Sequence, residues 1–246
     1  MDRKRSAALI CAAVLAAALP GPAGTRPAGG PAEVELEGRP LVALTFDDGP
    51  REATTGPLLD GLALREVPAT FFLVGSRIGG NEDLVRRMAA EGHQIGVHTF
   101  DHVALKGLSR RDFDLQVGKT RAVLADLLGE GEFWLRPPYG LIDQAAAGWA
   151  GGPLILWSVD PEDWKDHDVD RIVAAVVEHV SDGDIILMHD IFASSEEAAL
   201  RVVDALLAKG YCFVTVEQLM EQRGAAPEAG ARCRAFPPAK DRGGNF

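Results

Sequence analysis

Four short stretches of this chain hold residue types that could bind a metal and move protons. Thr45-Phe46-Asp47-Asp48-Gly49-Pro50 sets two carboxylates side by side at the end of an apolar run. Neighbouring aspartates repel and lose hydration together, so the pair is costly without a compensating cation. His98-Thr99-Phe100-Asp101-His102 places two imidazoles four residues apart, able to converge on one ion. Asp48, His98 and His102 would then form a three-ligand site with a position left for water, the pattern of a catalytic zinc. Taken singly, the aspartates read as a turn and cap and the histidine pair as helix surface. Leu187-Met188-His189-Asp190 puts another histidine just past a buried run, where its pKa can be tuned for proton transfer. Arg136-Pro137-Pro138-Tyr139-Gly140 offers a guanidinium on a rigid backbone, able to hold a carboxylate by two hydrogen bonds, or simply a rigid turn.

Such residues act together only if the chain gathers them. From residue 41 onward, short apolar runs alternate with amphipathic stretches. The strand candidates are 41–45, 70–74, 94–97, 133–135, 154–159, 184–188 and 212–215. Asn81 and Ser109 are placed to cap helices, the second carrying Phe113, Val117, Thr120 and Leu124 on one face. Stretches 169–180 and 195–208 read as further helices, with Gly210 ending the latter. Strand–helix alternation predicts a parallel sheet, and about seven units can close or nearly close a barrel. In such barrels the site gathers at the carboxyl ends of the strands. Five of the seven candidates end in reactive groups, Asp160-Pro161-Glu162-Asp163-Trp164 among them. His93, His167 and His179 lack that setting and read as turn or surface residues.

The chain has 246 residues, 47% of them hydrophobic, enough for a single domain with a sizeable core. Residues 1–23 read as a signal peptide: basic Arg3-Lys4-Arg5, an apolar stretch too short for a comfortable span, then small residues for cleavage. A retained anchor is the alternative. Ile10 before Cys11 argues against a lipoprotein signal. Residues 24–40 read as a flexible linker, 41–222 as the domain and 223–246 as a loose tail. The formal charge of −11 becomes about −13 once the leader's three bases and one acid are removed. With no basic patch, nucleic acid is not the expected partner, and a neutral or sparsely charged substrate is. In an exported chain Cys212 and Cys233 would remain as an even pair and could form a disulfide; a buried thiol and an unpaired one are the alternative.

The ordered set Thr-Phe-Asp-Asp-Gly-Pro, His-Thr-x-x-His, Arg-Pro-Pro-Tyr-Gly, Asp-x-x-Asp-Trp and Leu-x-His-Asp resembles the polysaccharide deacetylases, carbohydrate esterase family 4 with the NodB-homology domain. The resemblance runs from about Leu41 to Met220. It implies a distorted (β/α)7 barrel and metal-dependent removal of acetyl groups from N-acetylated polysaccharides or oligosaccharides; an exported monomer without stable membrane insertion is expected beside it. By the same resemblance Asp48, His98 and His102 bind one divalent ion, zinc first. Asp47 is the general base, Arg136 orients it, His189 is the general acid and Asp163 tunes that acid. The N–H of Tyr139 helps bind the oxyanion, and Trp164 and Leu187 wall the acetyl pocket. If Arg136 only orients Asp47, its loss should be milder than loss of the base. Peptidoglycan is the first substrate, chitin or chitooligosaccharides the second and acetylated xylan the third. A sugar-binding pseudoenzyme is the reading from another class.

Overall fold

A computed structural model describes residue 36 and residues 38–238. The expected leader and most of the expected linker lie outside the described residues. The linker's end is docked: Leu36 is buried, and Arg39 donates to the Gly210 and Tyr211 carbonyls.

Strand β1 (Leu41–Asp47) is buried along its whole length, as a continuous apolar run in a parallel sheet should be. Helix α1 (Glu52–Ala63) returns the chain to β2 (Thr70–Leu73), and α2 (Glu82–Ala90) returns it to β3 (Gln94–Val97). Next come α3 (Arg110–Phe113), a π-turn (Asp114–Gly118) and α4 (Lys119–Leu128), a nearly continuous helix. Then follow α5 (Gln144–Ala147), β4 (Leu154–Ile155), α6 (Val169–His179), β5 (Ile185–His189), α7 (Ala193–Ala208), β6 (Cys212–Phe213), α8 (Val216–Gln222) and β7 (Arg232–Cys233).

The central ladder is parallel, in the order β3–β2–β1–β5, with β6 against the start of β1. Single bridges complete the ring: Val97 to Leu135, Leu135 to Leu154, and Val159 to Ile186. This is an α/β barrel, distorted where three ladders shrink to one residue pair each. Phe46 stacks on Phe71 at 5.1 Å inside the larger apolar cluster between sheet and helices. As expected, Phe113, Val117, Thr120 and Leu124 all face that core, and Ser109 accepts from the Asp112 N–H. Asn81 stands at the start of α2 but does not cap it; its side chain donates back to the Arg77 carbonyl. Among the described residues no helix is long and apolar enough to cross a membrane.

Two expectations about the end of the chain need correction. The segment after Arg223 is not loose throughout: β7 pairs with β4, and Phe236 N–H donates to the Gly183 carbonyl. Arg223 also pairs with Asp182 and the Phe236 carbonyl. No disulfide joins Cys212 and Cys233. They belong to different ladders, β6 on β1 and β7 on β4, so backbone pairing holds the tail without a covalent tie.

Candidate active site

Asp47 and His189 are register partners on β1 and β5, at the carboxyl end of both strands. Side chains alternate along a strand, so Thr45 and Asp47 share one face of β1, as Leu187 and His189 share one face of β5. Arg136 arrives from the segment that bridges β3. Wholly buried, it donates Nη1 to Asp47 Oδ1 at 2.8 Å and to Thr45 Oγ1 at 2.7 Å. Nε and Nη2 donate to the Ile155 and Leu156 carbonyls, and the guanidinium lies 4.1 Å from the centre of the Phe72 ring. One buried cation therefore ties four segments of the barrel together.

Asp48 turns out of the strand at φ +76°, in the left-handed region that side chains rarely adopt. Thr99, His102 and Tyr139 do the same, giving four of the six such non-glycine residues among those described. Each costs on the order of 1–3 kcal/mol and persists only where its surroundings hold it. Gln116, aimed from the π-turn, is one such hold. Its Oε1 accepts from the Phe100 and Asp101 N–H groups, inside the loop between His98 and His102. π-Turns recur at functional sites, and the sequence reading did not single this residue out.

The three expected ligands meet: ligand atoms of Asp48, His98 and His102 all lie within 4.8 Å of one another. His98 Nε2 is 3.6 Å from Asp48 Oδ1 and 3.6 Å from Asp47 Oδ2, and His102 Nε2 is 3.1 Å from Asp48 Oδ1. The Arg136 carbonyl, which can only accept, lies 2.8 Å from His98 Nδ1. The proton is thus on Nδ1, and the Nε2 lone pair points at the carboxylates. Burial holds the His98 imidazole below its usual pKa despite the nearby aspartates, in the neutral form that ligates. Asp48 Oδ1 is buried with no hydrogen-bond donor. An orphaned carboxylate oxygen facing two imidazoles fits a divalent cation.

On the other side, Asp163 clamps His189 with both oxygens. Oδ2 accepts the backbone N–H and Oδ1 the Nδ1 proton, each at 2.8 Å. Burial alone would lower this histidine's pKa. The hydrogen bond and charge of Asp163, with the Asp47 and Asp48 charges behind it, prevail and push it up to about 9. At neutral pH His189 is therefore a held cation with Nε2 available to donate. Leu187 is buried, whereas Trp164 and Tyr139 are largely exposed, with the Tyr139 hydroxyl 3.3 Å from His102 Nδ1.

Asp190, to which the sequence reading gave no role, is buried behind Asp48. Burial pushes its carboxyl up to about 7, against a Thr55 hydrogen bond and with help from the Asp48 and Asp47 charges. A Cβ on Gly49 would fall 2.2 Å from Asp190 Oδ2, so the metal-side turn has room only for glycine. His93, expected at a turn or surface, is buried at the opposite end of β3.

A buried carboxylate, a protonated imidazole and an Asp–His–His cluster thus meet at the carboxyl end of a parallel barrel, an arrangement that suits metal-assisted hydrolysis. The family profile for polysaccharide deacetylase matches residues 36–150. Over 198 residues the chain is 37% identical to a chitooligosaccharide deacetylase of Sinorhizobium fredii, covering 74% of this chain and 92% of that one. Over 182 residues it is 39% identical to the peptidoglycan-N-acetylglucosamine deacetylase PgdA of Listeria monocytogenes. That match covers 74% of this chain but only 39% of the longer relative. Among solved structures, the family 4 acetyl xylan esterase from Clostridium thermocellum in complex with cobalt superposes with a TM-score of 0.76. It is 30% identical, with 80% of this chain and 99% of that one covered. The chain belongs to the polysaccharide deacetylase family.

Proposed function

We propose that this chain is an exported, zinc-dependent N-deacetylase acting on N-acetylglucosamine residues of peptidoglycan. One observation carries the reading: a proton acceptor and a proton donor, Asp47 and His189, stand in register across β1–β5 beside the Asp48–His98–His102 cluster. A divalent ion held by those three would polarise an amide carbonyl and lower the pKa of a water molecule. Two imidazoles and one carboxylate leave room for such chemistry and suit zinc.

Asp47, fixed through Oδ1 by Arg136, takes a proton as water attacks the acetyl carbon, Oδ2 being the oxygen turned toward His98. The N–H of Tyr139 helps hold the resulting oxyanion. His189, oriented by Asp163, gives its Nε2 proton to the sugar nitrogen as the C–N bond breaks, leaving acetate and a free amine. Leu187, on the His189 face of β5, and Trp164, beside Asp163, wall the space for the acetyl methyl. Support for peptidoglycan comes from the Listeria relative, and support for export from the basic and apolar pattern of residues 1–23.

The test is acetate release from peptidoglycan, chitooligosaccharides and acetylxylan, before chelation, after it, and after zinc is restored. Peptidoglycan turnover that chelation abolishes and zinc recovers is the expected result. Acetate from chitooligosaccharides alone would move the substrate. Sugar binding without acetate from any polymer would leave a binding module and overturn the reading.

A further inference from the structure

Beside the ligand cluster lies a cavity of about 620 Å³, walled by Pro50, Arg51, Glu52, Arg77, Asn81 and Ile191 among others. Its walls continue the catalytic segments. Pro50 and Arg51 follow the aspartate pair after Gly49, Ile191 is two residues past His189, and Arg77 closes the short helical turn after β2. Arg77 Nη1 donates to the backbone carbonyl of Asp48 at 2.6 Å, and Arg51 Nη1 donates to that of Ile191 at 2.7 Å. Both guanidinium groups are thus tethered at one corner by a neutral acceptor, and among the described residues neither forms an ion pair. Several other arginines are neutralised, as Arg65 is by Asp204, Arg87 by Asp60 and Glu91, and Arg201 by Asp170, whereas Arg39 and Arg234 donate to backbone carbonyls as these two do; what sets Arg51 and Arg77 apart is that they share one cavity. Two uncompensated arginines on one cavity outweigh the single acid there, Glu52, in a chain whose formal charge is −11. The amino end of α1 opens onto the same space and adds its own partial positive charge.

We propose that this cavity is the subsite for a carboxylate carried by the substrate, on a sugar next to the one being deacetylated or on its side branch. The proposal deepens the deacetylase reading and rests on it. A guanidinium presents several N–H donors in a planar fork, so a corner given to a carbonyl leaves an edge for a carboxylate. The tethers also pre-orient both side chains, which reduces the ordering cost of binding. Neutral N-acetylglucosamine oligomers have nothing to place there. Glycans bearing a lactyl ether or an acidic peptide do, so the cavity would select acidic glycans over neutral ones at the shared catalytic centre.

The experiment compares two forms of one oligosaccharide of alternating N-acetylglucosamine and N-acetylmuramic acid, with the lactyl carboxylate free or converted to its methyl amide. The reading is the ratio of kcat/KM for acetate release from the two. The parent enzyme should favour the free acid by roughly 10-fold or more, the worth of a hydrogen bond to a charged group, and less so at high salt. Arg51→Gln and Arg77→Gln should each lower the ratio, and the double variant should bring it near one. Any general loss of activity from disturbing Asp48 through Arg77 cancels in that ratio. Glu52→Gln, which removes the opposing charge and keeps both arginines, should raise it. A parent enzyme indifferent to the carboxylate, or a ratio that survives both substitutions, would overturn the subsite while leaving a working deacetylase. Acetate from neither oligosaccharide, nor from chitooligosaccharides, would overturn the deacetylase reading and the subsite with it.

Discussion

Two buried histidines flank β3, His93 before it and His98 after it, and they do opposite things. At the amino end, His93 Nδ1 accepts the Ala69 N–H at 3.0 Å, and the ring meets Phe71 edge-on at 5.2 Å. Its Nε2 finds no hydrogen-bond partner, the nearest acid being Glu91 at 3.8 Å. At the carboxyl end, His98 lies against the Arg136 carbonyl on one nitrogen and faces two aspartates with the other. Burial is nearly equal and lowers both pKa values. What separates a packing histidine from a candidate ligand is therefore the company of its second nitrogen. Parallel strands supply that company at one end only, because their carboxyl ends open into the loops that carry Asp48, His102 and Arg136.

The comparison breaks most directly at the metal. His98→Ala should lose bound zinc, read by elemental analysis, and lose acetate release with it. His93→Asn, which keeps an acceptor for the Ala69 N–H, should retain both. If His93→Asn emptied the site while His98→Ala left it filled, the two roles would have to be exchanged.

The next largest effect concerns Arg136, and here geometry alters the expectation formed on sequence. A residue that merely orients a base could be removed at small cost. This one is wholly buried, bonds Thr45, Asp47, Ile155 and Leu156, and compensates a carboxylate that is itself only 3% exposed. Arg136→Ala would strand that charge, so the loss should be on the order of 3–5 kcal/mol of stability, as for other broken buried pairs. Arg136→Lys should recover part of it, keeping the charge but not the fork. Urea midpoints of the two variants decide the matter. An alanine variant within about 0.5 kcal/mol of the parent, the span usual for harmless substitutions, would return Arg136 to a purely orienting role.

Much of this was legible in the sequence because strand ends and chemistry coincide. The apolar runs through Leu44, Val97 and Met188 mark their strands, and the reactive residues follow immediately. Ser109 and the Phe113–Leu124 face were legible for the same local reason, since caps and helical spacing act within a few residues. What was hidden depends on distant partners. The run 133–135 was legible as a strand, but not that it joins the barrel only by single bridges from Leu135 to Val97 and Leu154. Arg232 and Cys233 look like tail and become β7 only because Leu154 and Ile155 offer an open edge. Gln116 is unremarkable until a π-turn aims it at the loop before His102. His93 resembles a turn residue because Gly92 precedes it, yet Phe71 and Ala69 bury it.

A smaller effect tests the catalytic end by its proton. His189, with a pKa raised to about 9, is protonated at neutrality, so acid catalysis should persist to mildly alkaline pH and fail above it. Asp163→Asn removes the main group that raises that pKa and leaves burial to lower it. The alkaline limb of kcat/KM against pH should then shift toward lower pH. A limb that stays in place would assign it to another group.

The smallest effect lies with His93 and concerns stability alone. Its pKa is lowered from 6.5 to about 4 by burial, with the Arg87 charge adding to the shift. Between those values the unfolded chain takes up a proton that the fold refuses, so stability is full above pH 6.5 and falls as pH drops toward 4. At 1.36 kcal/mol per unit, the window amounts to roughly 3 kcal/mol. Asp190 works in the opposite sense, because its raised pKa keeps a proton in the fold that the unfolded chain gives up. That contribution is fully present at low pH and is lost as pH rises through 7. The raw curve therefore mixes the two, and the difference between parent and His93→Asn isolates one. Measured by urea unfolding at pH 7, 5.5 and 4, the parent's advantage over the variant should shrink by roughly 3 kcal/mol. A difference that stays constant across that range would mean His93 titrates alike in both states, and the contrast with His98 would then rest on geometry alone.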